Sequence, residues 1–162
     1  MRKIVLLSFF CLVICMNSMS QIKIKANKSN SEMIDIEGTA VINKDAKTVF
    51  DFVSNYSNDK KWRAIVKNTS INTPQVNVGT MVTETSFLSK KYPDYVTVFK
   101  CTKFEPGKLI SAETDSTNKF YSFNSRMVTA VSENYSTFTY HFLLQMDIIK
   151  YGTGFRIPKF LV

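Results

Sequence analysis

The sequence predicts an α+β domain in which a curved antiparallel sheet carries two short helices after its first strand. Apolar and polar residues alternate over most of the chain from Met33 onward, which is the period of strands with one covered face. The alternation gives way once to helical spacing, and Pro, Gly and Asn separate the later strands. A length of 162 residues with 44% apolar and 21% charged side chains is that of one globular domain.

A secretory leader is expected over residues 1–20. Two basic residues precede an apolar run over residues 4–16, and small residues follow it at the spacing of a signal-peptidase site. The run has about 13 residues, fewer than the roughly 20 that a membrane-spanning helix needs. We therefore expect a periplasmic or secreted protein that begins at Gln21, and neither a membrane anchor nor a lipoprotein attached through Cys15. No other segment is apolar enough to span a membrane.

Residues 21–32 are polar and are predicted to be a tether, so that the domain occupies residues 33–162. The first strand then has Ile34, Ile36, Gly38, Ala40 and Ile42 on one face.

Two helices are expected next. Asp45 can cap a helix over Ala46–Val53, whose Ala46, Val49, Phe50 and Val53 share one face. A shorter helix follows around Asn58–Trp62, and Trp62 is expected to wedge the helix pair against the sheet.

The remainder is predicted to be β structure. The expected strands are Val66–Thr73, Thr80–Leu88, Tyr95–Phe104, Leu109–Thr114, Phe120–Val131 and Tyr135–Ile148. In the last of these, Phe138, Tyr140 and Phe142 share the dry face and His141 lies opposite them.

Charge and cysteine content exclude several classes. The chain has 21 Lys and Arg residues against 13 Asp and Glu residues, but they are spread out and do not indicate nucleic-acid binding. Cys101 is the only cysteine beyond the leader, so an internal disulfide cannot form. Its position inside a strand favours burial over a reactive thiol.

Catalytic signals are weak. His141 is the only histidine, and we expect it to be structural, with no metal and no cofactor bound by the chain. Glu84, Glu113 and Asp115 could meet in a pocket as acid and base, although exposed strand carboxylates are far commoner. Arg126 shares its parity with two polar neighbours and is therefore expected on the solvent side.

Aromatic side chains carry the positive evidence, since 13% of the residues are Phe, Trp or Tyr. Such side chains combine a large apolar area with an occasional hydroxyl, as small-molecule pockets do. The predicted ligand contacts are Tyr95, Phe99, Tyr121, Phe123, Met127, Tyr140 and Phe142. For any single one of them, simple core packing remains the commoner role.

The order of elements resembles the START-like superfamily, also called SRPBCC, and within it the polyketide cyclase/dehydrase and lipid transport group. The similar stretches are residues 36–42, 47–53 and 104–109, with Trp62 at the end of the helices and Gly79 before a strand. The resemblance covers about Met33 to Met146. It implies a helix-grip fold, in which the sheet wraps a long C-terminal helix and the cavity between them holds an apolar molecule.

The C-terminus departs from that pattern, because only four residues follow Pro158 and the long helix is therefore expected to be missing or truncated. Such a helix would bury several large side chains, each contributing about 1.5–3 kcal/mol, so its loss predicts self-association through the exposed sheet. The leading hypothesis is an exported carrier of a lipid, isoprenoid or aromatic metabolite. The alternatives are a cyclase/dehydrase-type enzyme and a degenerate partner-binding protein. A lipocalin-like fold is the second structural hypothesis.

Overall fold

The computed structural model describes residues 22–27 and 33–153. Eight strands form one antiparallel sheet in the order β1-β2-β8-β7-β6-β5-β4-β3, which curls into a half-barrel. The strands are β1 (Ile22–Asn27), β2 (Met33–Ile42), β3 (Val66–Ile71), β4 (Met81–Ser86), β5 (Tyr95–Glu105), β6 (Leu109–Thr114), β7 (Ser122–Ser132) and β8 (Tyr135–Gln145). The α+β fold class is therefore confirmed. Since β1 and β3 are edge strands, the described sheet does not close on itself as a lipocalin-like fold would.

The proposed tether is wrong for residues 22–27, which form strand β1 and pair with β2 from Ile22–Ala40 to Asn27–Asp35. The segment is short and half of it is polar, but Ile22 and Ile24 alternate with Lys23 and a second lysine, as in a strand. The proposed leader, residues 1–20, lies outside the described residues.

Helices α1 (Ala46–Ser54) and α2 (Asp59–Trp62) follow β2, joined by a 3₁₀ turn at Tyr56–Asn58. The Asp45 side chain accepts hydrogen bonds from the backbone N–H and the hydroxyl of Thr48, at 2.8 and 2.6 Å. These bonds satisfy donors that a helix start otherwise leaves unpaired, which confirms Asp45 as the N-cap.

We call the face of the sheet that helix α1 covers the inner face, and the opposite face the outer face. The buried α1 side chains Val49, Phe50 and Val53 pack against Val128 of β7 and Phe138 of β8. A second buried cluster continues across the sheet and comprises Tyr56, Val82, Phe99, Cys101, Ile110 and Ala112. Cys101 is thus buried within the sheet, where burial raises the pKa of its thiol.

The turns follow the sequence signals closely. Gly107, after Pro106, has a φ of 74°, and Gly79 has a φ of 91°, a region of backbone space that residues with a Cβ rarely adopt. The predicted ends of the last two strands differ from the structure. Strand β7 begins at Ser122 instead of Phe120, and strand β8 stops at Gln145 instead of Ile148.

Helix α3 (Asp147–Thr153) takes the residues beyond β8. Tyr151 stacks on Tyr92 at 4.4 Å and also contacts Phe120 and Tyr95, with ring centroids at 5.2 and 6.4 Å. Helix α3 therefore covers the end of the sheet opposite to α1. Among the described residues, no helix has the length and apolarity required to traverse a bilayer.

Candidate functional site

The inner face carries four of the seven predicted ligand contacts. Phe99 and Tyr140 are buried, at 4% and 8% exposure, while Tyr95 and Phe142 are half-buried. The rings of Tyr140 and Phe142 stack, with centroids 6.2 Å apart and an interplanar angle of 12°. Tyr140 and Phe142 belong to the cluster beneath α1, whereas Phe99 belongs to the second cluster and Tyr95 contacts Tyr151 of α3.

The other three, Phe123, Met127 and Tyr121, lie on the outer face and are not brought together with the inner-face residues. Phe123 packs its ring against His141 at 5.7 Å, and Met127 is exposed. Tyr121 is exposed as well, and its hydroxyl donates to Glu113 at 3.1 Å. In strand β7 the buried positions are Ser122, Asn124, Arg126 and Val128, so three of its four inward side chains are polar and its Phe and Met face outward.

Arg126 shows this reversal most clearly. It is 1% exposed, not on the solvent side as expected, and it makes a bidentate ion pair with Asp59 at 2.9 and 2.6 Å. It also donates to the Val53 carbonyl at 2.6 Å. A guanidinium is tolerated there because its charge and most of its donors are matched within the core.

A second buried pair adjoins the first. Arg63 binds Glu84 through both terminal nitrogens, with Nη2 at 3.2 Å from Oε1, and Nη1 also lies 3.2 Å from Asp59. The hydroxyl of Ser86 donates to Glu84 at 2.6 Å. Two guanidinium groups and two carboxylates thus form one buried quartet: Asp59, Arg63, Glu84 and Arg126.

The carboxylates of the quartet keep both of its arginines charged. Burial alone would lower the pKa of Arg63, but the Glu84 carboxylate reverses this effect and the pKa is raised overall. Asp59 does the same for Arg126, whose pKa is also raised. Both arginines therefore carry their positive charge in the folded protein.

Aromatic rings surround the quartet. Arg126 lies 4.4 Å from the centroid of the Tyr56 ring and 5.4 Å from that of Trp62. Trp62 meets Phe138 and Tyr140 edge to face at 5.5 and 5.3 Å, which confirms its predicted role between helices and sheet. Burial raises the pKa of both Tyr56 and Tyr140, so both hydroxyls remain protonated.

Six buried side-chain polar atoms have no hydrogen-bond partner among the described residues. They are Tyr56 Oη, Trp62 Nε1, Asn124 Oδ1, Arg126 Nε, Ser136 Oγ and Tyr140 Oη. An unpaired buried polar group costs about 1–3 kcal/mol, and one isolated case is ordinary in a native protein. Three of these residues, Tyr56, Trp62 and Tyr140, hold their rings against Arg63 or Arg126.

The predicted acid–base carboxylates do not converge. Glu84 is buried in the quartet, whereas Glu113 is bound to Tyr121 on the outer face and Asp115 accepts from the Thr117 hydroxyl in a loop. His141 lies on the outer face as predicted, with Nε2 at 2.7 Å from Asp35 Oδ1. Within residues 22–27 and 33–153, no group of three potential metal ligands comes together.

Sequence reasoning missed Asp59, Arg63 and Asn124. Arg63 directly follows the aromatic Trp62 at the end of α2. Asp59 resembled an ordinary acidic residue of a first helical turn. The i,i+4 spacing to Arg63 was a local signal for an ion pair, but its burial depends on Arg126, which lies 67 positions away.

Comparisons with known proteins agree with this architecture. Neither a family model nor a curated protein matches the sequence. Among solved structures, a protein from Deinococcus radiodurans has a TM-score of 0.58 at 10% identity, covering 72% of this chain and 86% of that one.

Two further structures carry descriptive names. A START superfamily protein from Mycobacterium smegmatis has a TM-score of 0.57 at 12% identity, covering 76% of this chain and 87% of its own. The Zhui aromatase/cyclase from Streptomyces sp. R1128 has a TM-score of 0.58 at 9% identity, covering 69% of this chain and 67% of its own. At such identities the likeness concerns the fold alone, and the chain has the START-like, or SRPBCC, helix-grip fold.

Proposed function

We propose that the protein binds and carries an apolar small molecule on the inner face of its sheet. The observation that carries this proposal is the position of Phe142. In the β7–β8 register it lies beyond the Val128–Phe138 pair that α1 covers, on the side towards α3. Phe142 is half-buried, so its ring offers apolar area that helix α1 does not fully cover.

The fold supports the same proposal. A START superfamily protein and an aromatase/cyclase share this architecture, and a binding site between sheet and helices serves both a carrier and an enzyme. The enzymatic alternative of cyclase/dehydrase type needs an available acid or base. The two carboxylates nearest the aromatic site, Asp59 and Glu84, are engaged by arginines, which favours binding over catalysis.

Native mass spectrometry of the purified chain tests the proposal. We expect a co-purified apolar ligand, or tight uptake of one from a lipid extract. Phe142→Ala should reduce uptake strongly. Phe123→Ala is the matched control, because Phe123 is also a half-buried ring but lies on the outer face of the same hairpin. Equal losses in both variants, or no uptake by the unmodified chain, would refute the proposal.

Export is a separate part of the proposal and rests on the leader pattern of residues 1–20. A periplasmic or secreted carrier would move its ligand outside the cytoplasm. Mass spectrometry of the intact protein from fractionated cells checks this, with a mature chain beginning at Gln21 as the expected result. A chain that keeps Met1 and stays in the cytoplasm would contradict it.

A further inference from the structure

Two tyrosine rings from distant parts of the chain stack on each other where helix α3 meets the sheet. Tyr92 belongs to the loop between β4 and β5, and Tyr151 belongs to α3. Their ring centroids lie 4.4 Å apart, with an interplanar angle of 20°. At this separation the ring carbons of the two phenols are in van der Waals contact.

The surroundings hold the Tyr151 ring in this position. Phe120 and Tyr95 contact it with ring centroids at 5.2 and 6.4 Å, and the Lys119 ammonium lies 4.1 Å from its centroid. These neighbours restrict how the Tyr151 ring can turn away from Tyr92. Both tyrosines are only half-buried, so a small oxidant can reach them from solvent.

The two hydroxyl groups of the stack differ in acidity. A hydrogen bond from Tyr151, together with the Lys91 and Lys119 ammonium groups, lowers the pKa of Tyr92 below its ordinary 10.0. The same hydrogen bond raises the pKa of Tyr151. A phenol that gives up its proton more readily is also oxidised more readily by one electron. Tyr92 is therefore the member of the pair that forms a phenoxyl radical first, and it does so in contact with a second phenol.

We propose that Tyr92 and Tyr151 form an oxidative cross-linking site, at which hydrogen peroxide and a peroxidase join the two rings as dityrosine and fasten α3 to the sheet. Each phenol loses one electron and one proton, and the two radicals couple through the ring carbons next to their hydroxyl groups. Two C–H bonds are broken and one C–C bond is formed. The two electrons and two protons reduce one peroxide to two water molecules. This site is independent of the proposed binding function.

The cross-link would provide a covalent connection that cysteine cannot provide here. Among the described residues, Cys101 is the only cysteine and it is buried, so no disulfide bond within that part of the chain can tie α3 to the sheet. A bond between residues 92 and 151 closes a long loop in the unfolded chain and reduces the conformational entropy of that state. We therefore expect the cross-linked protein to melt at a higher temperature than the untreated protein.

Oxidation of the purified chain by hydrogen peroxide and a peroxidase tests the proposal. Dilute protein favours coupling within one molecule over coupling between molecules through the exposed Tyr121 and Tyr135. We expect dityrosine fluorescence in a product that migrates as a monomer under denaturing conditions and has lost two hydrogen atoms. Peptide mapping should join residue 92 to residue 151. A monomer without dityrosine, or with another pair of tyrosines joined, would overturn the proposal.

Tyr92→Phe and Tyr151→Phe each keep the ring and remove the phenol, so each should abolish the cross-link within the monomer. Tyr95→Phe is the matched control, because Tyr95 contacts the same Tyr151 ring but at 6.4 Å and 60°, and this variant should cross-link like the unmodified chain. Circular dichroism of each variant establishes that the fold is retained. A cross-link that persists in Tyr92→Phe would refute the assignment, and an unchanged melting temperature of the cross-linked chain would show that the bond does not fasten α3.

Discussion

Arg126 and Asp59 join the centre of strand β7 to helix α2 across 67 positions of the sequence. A buried ion pair is weak evidence for stability as such, because desolvation offsets much of the attraction. The pair has a larger effect on which arrangement of helices and sheet the chain adopts than on the free energy of unfolding. The bidentate geometry and the bond to the Val53 carbonyl fix how the helices sit on the sheet.

Removal of one partner should therefore be severe. We expect Arg126→Met to lower the free energy of unfolding by about 3–5 kcal/mol, because it leaves the Asp59 carboxylate buried without its main counter-charge. Urea denaturation followed by Trp62 fluorescence measures this. Lys67→Met is the control, since its pair with Asp94 is exposed and should change stability by less than about 0.5 kcal/mol. Similar losses in both variants would contradict the argument.

The Asp45 cap gives stability a dependence on acidity. Hydrogen bonds from the Thr48 side chain and backbone lower the pKa of Asp45 below its ordinary 3.8. A depressed carboxyl pKa stabilises the fold above that ordinary value, and the contribution disappears as pH falls through the folded-state pKa. Compared with Asp45→Asn, the unmodified protein should melt at a higher temperature near neutral pH. The gap should close when the pH is taken well below 3.8, and a gap that persists there would count against the cap.

At the scale of elements, the sequence predicts the local structure well wherever local signals decide it. The cap at Asp45, helix α1, strand Leu109–Thr114 and the turn at Gly107 all follow from neighbouring residues. The orientation of β7 does not. Parity places Phe123 and Met127 on one face and Arg126 on the other, but only distant partners decide which face is covered.

Helix α3 approaches the Leu88 side chain closely at Gly152. A Cβ placed on Gly152 would lie 2.8 Å from Leu88 Cγ, which is closer than carbon atoms can approach without a shift. We expect Gly152→Ala to destabilise the docking of α3, although alanine is the better helix former.

The sign should reverse when Leu88 is shortened. In a Leu88→Ala background the clash is absent, and Gly152→Ala should then stabilise the protein by about 0.5–1 kcal/mol through helix propensity. A double-mutant cycle in thermal unfolding measures the coupling between the two positions. Additive effects of the two substitutions would show that α3 does not rest on Leu88.

The whole molecule combines a predictable outline with a site that depends on long-range contacts. Alternation and turn residues are sufficient for an antiparallel sheet with two inserted helices, and the structure confirms that outline. The quartet could not be predicted in the same way, since burial of Asp59 and Arg63 depends on residues from β4 and β7. A charged side chain is read as exposed until its partner is known.

The ligand-free and ligand-bound forms of the protein should differ in self-association and in stability. Without ligand, the half-buried aromatic surface around Phe142 should promote self-association, which light scattering over a concentration series detects. An apolar ligand at a hundredfold excess over its Kd should raise the free energy of unfolding by about 2.7 kcal/mol and shift the population to monomer. Phe142→Ala should weaken both effects, and Phe123→Ala should alter neither. A ligand-free chain that is monodisperse and melts cooperatively would show that the inner face is already filled by its own side chains.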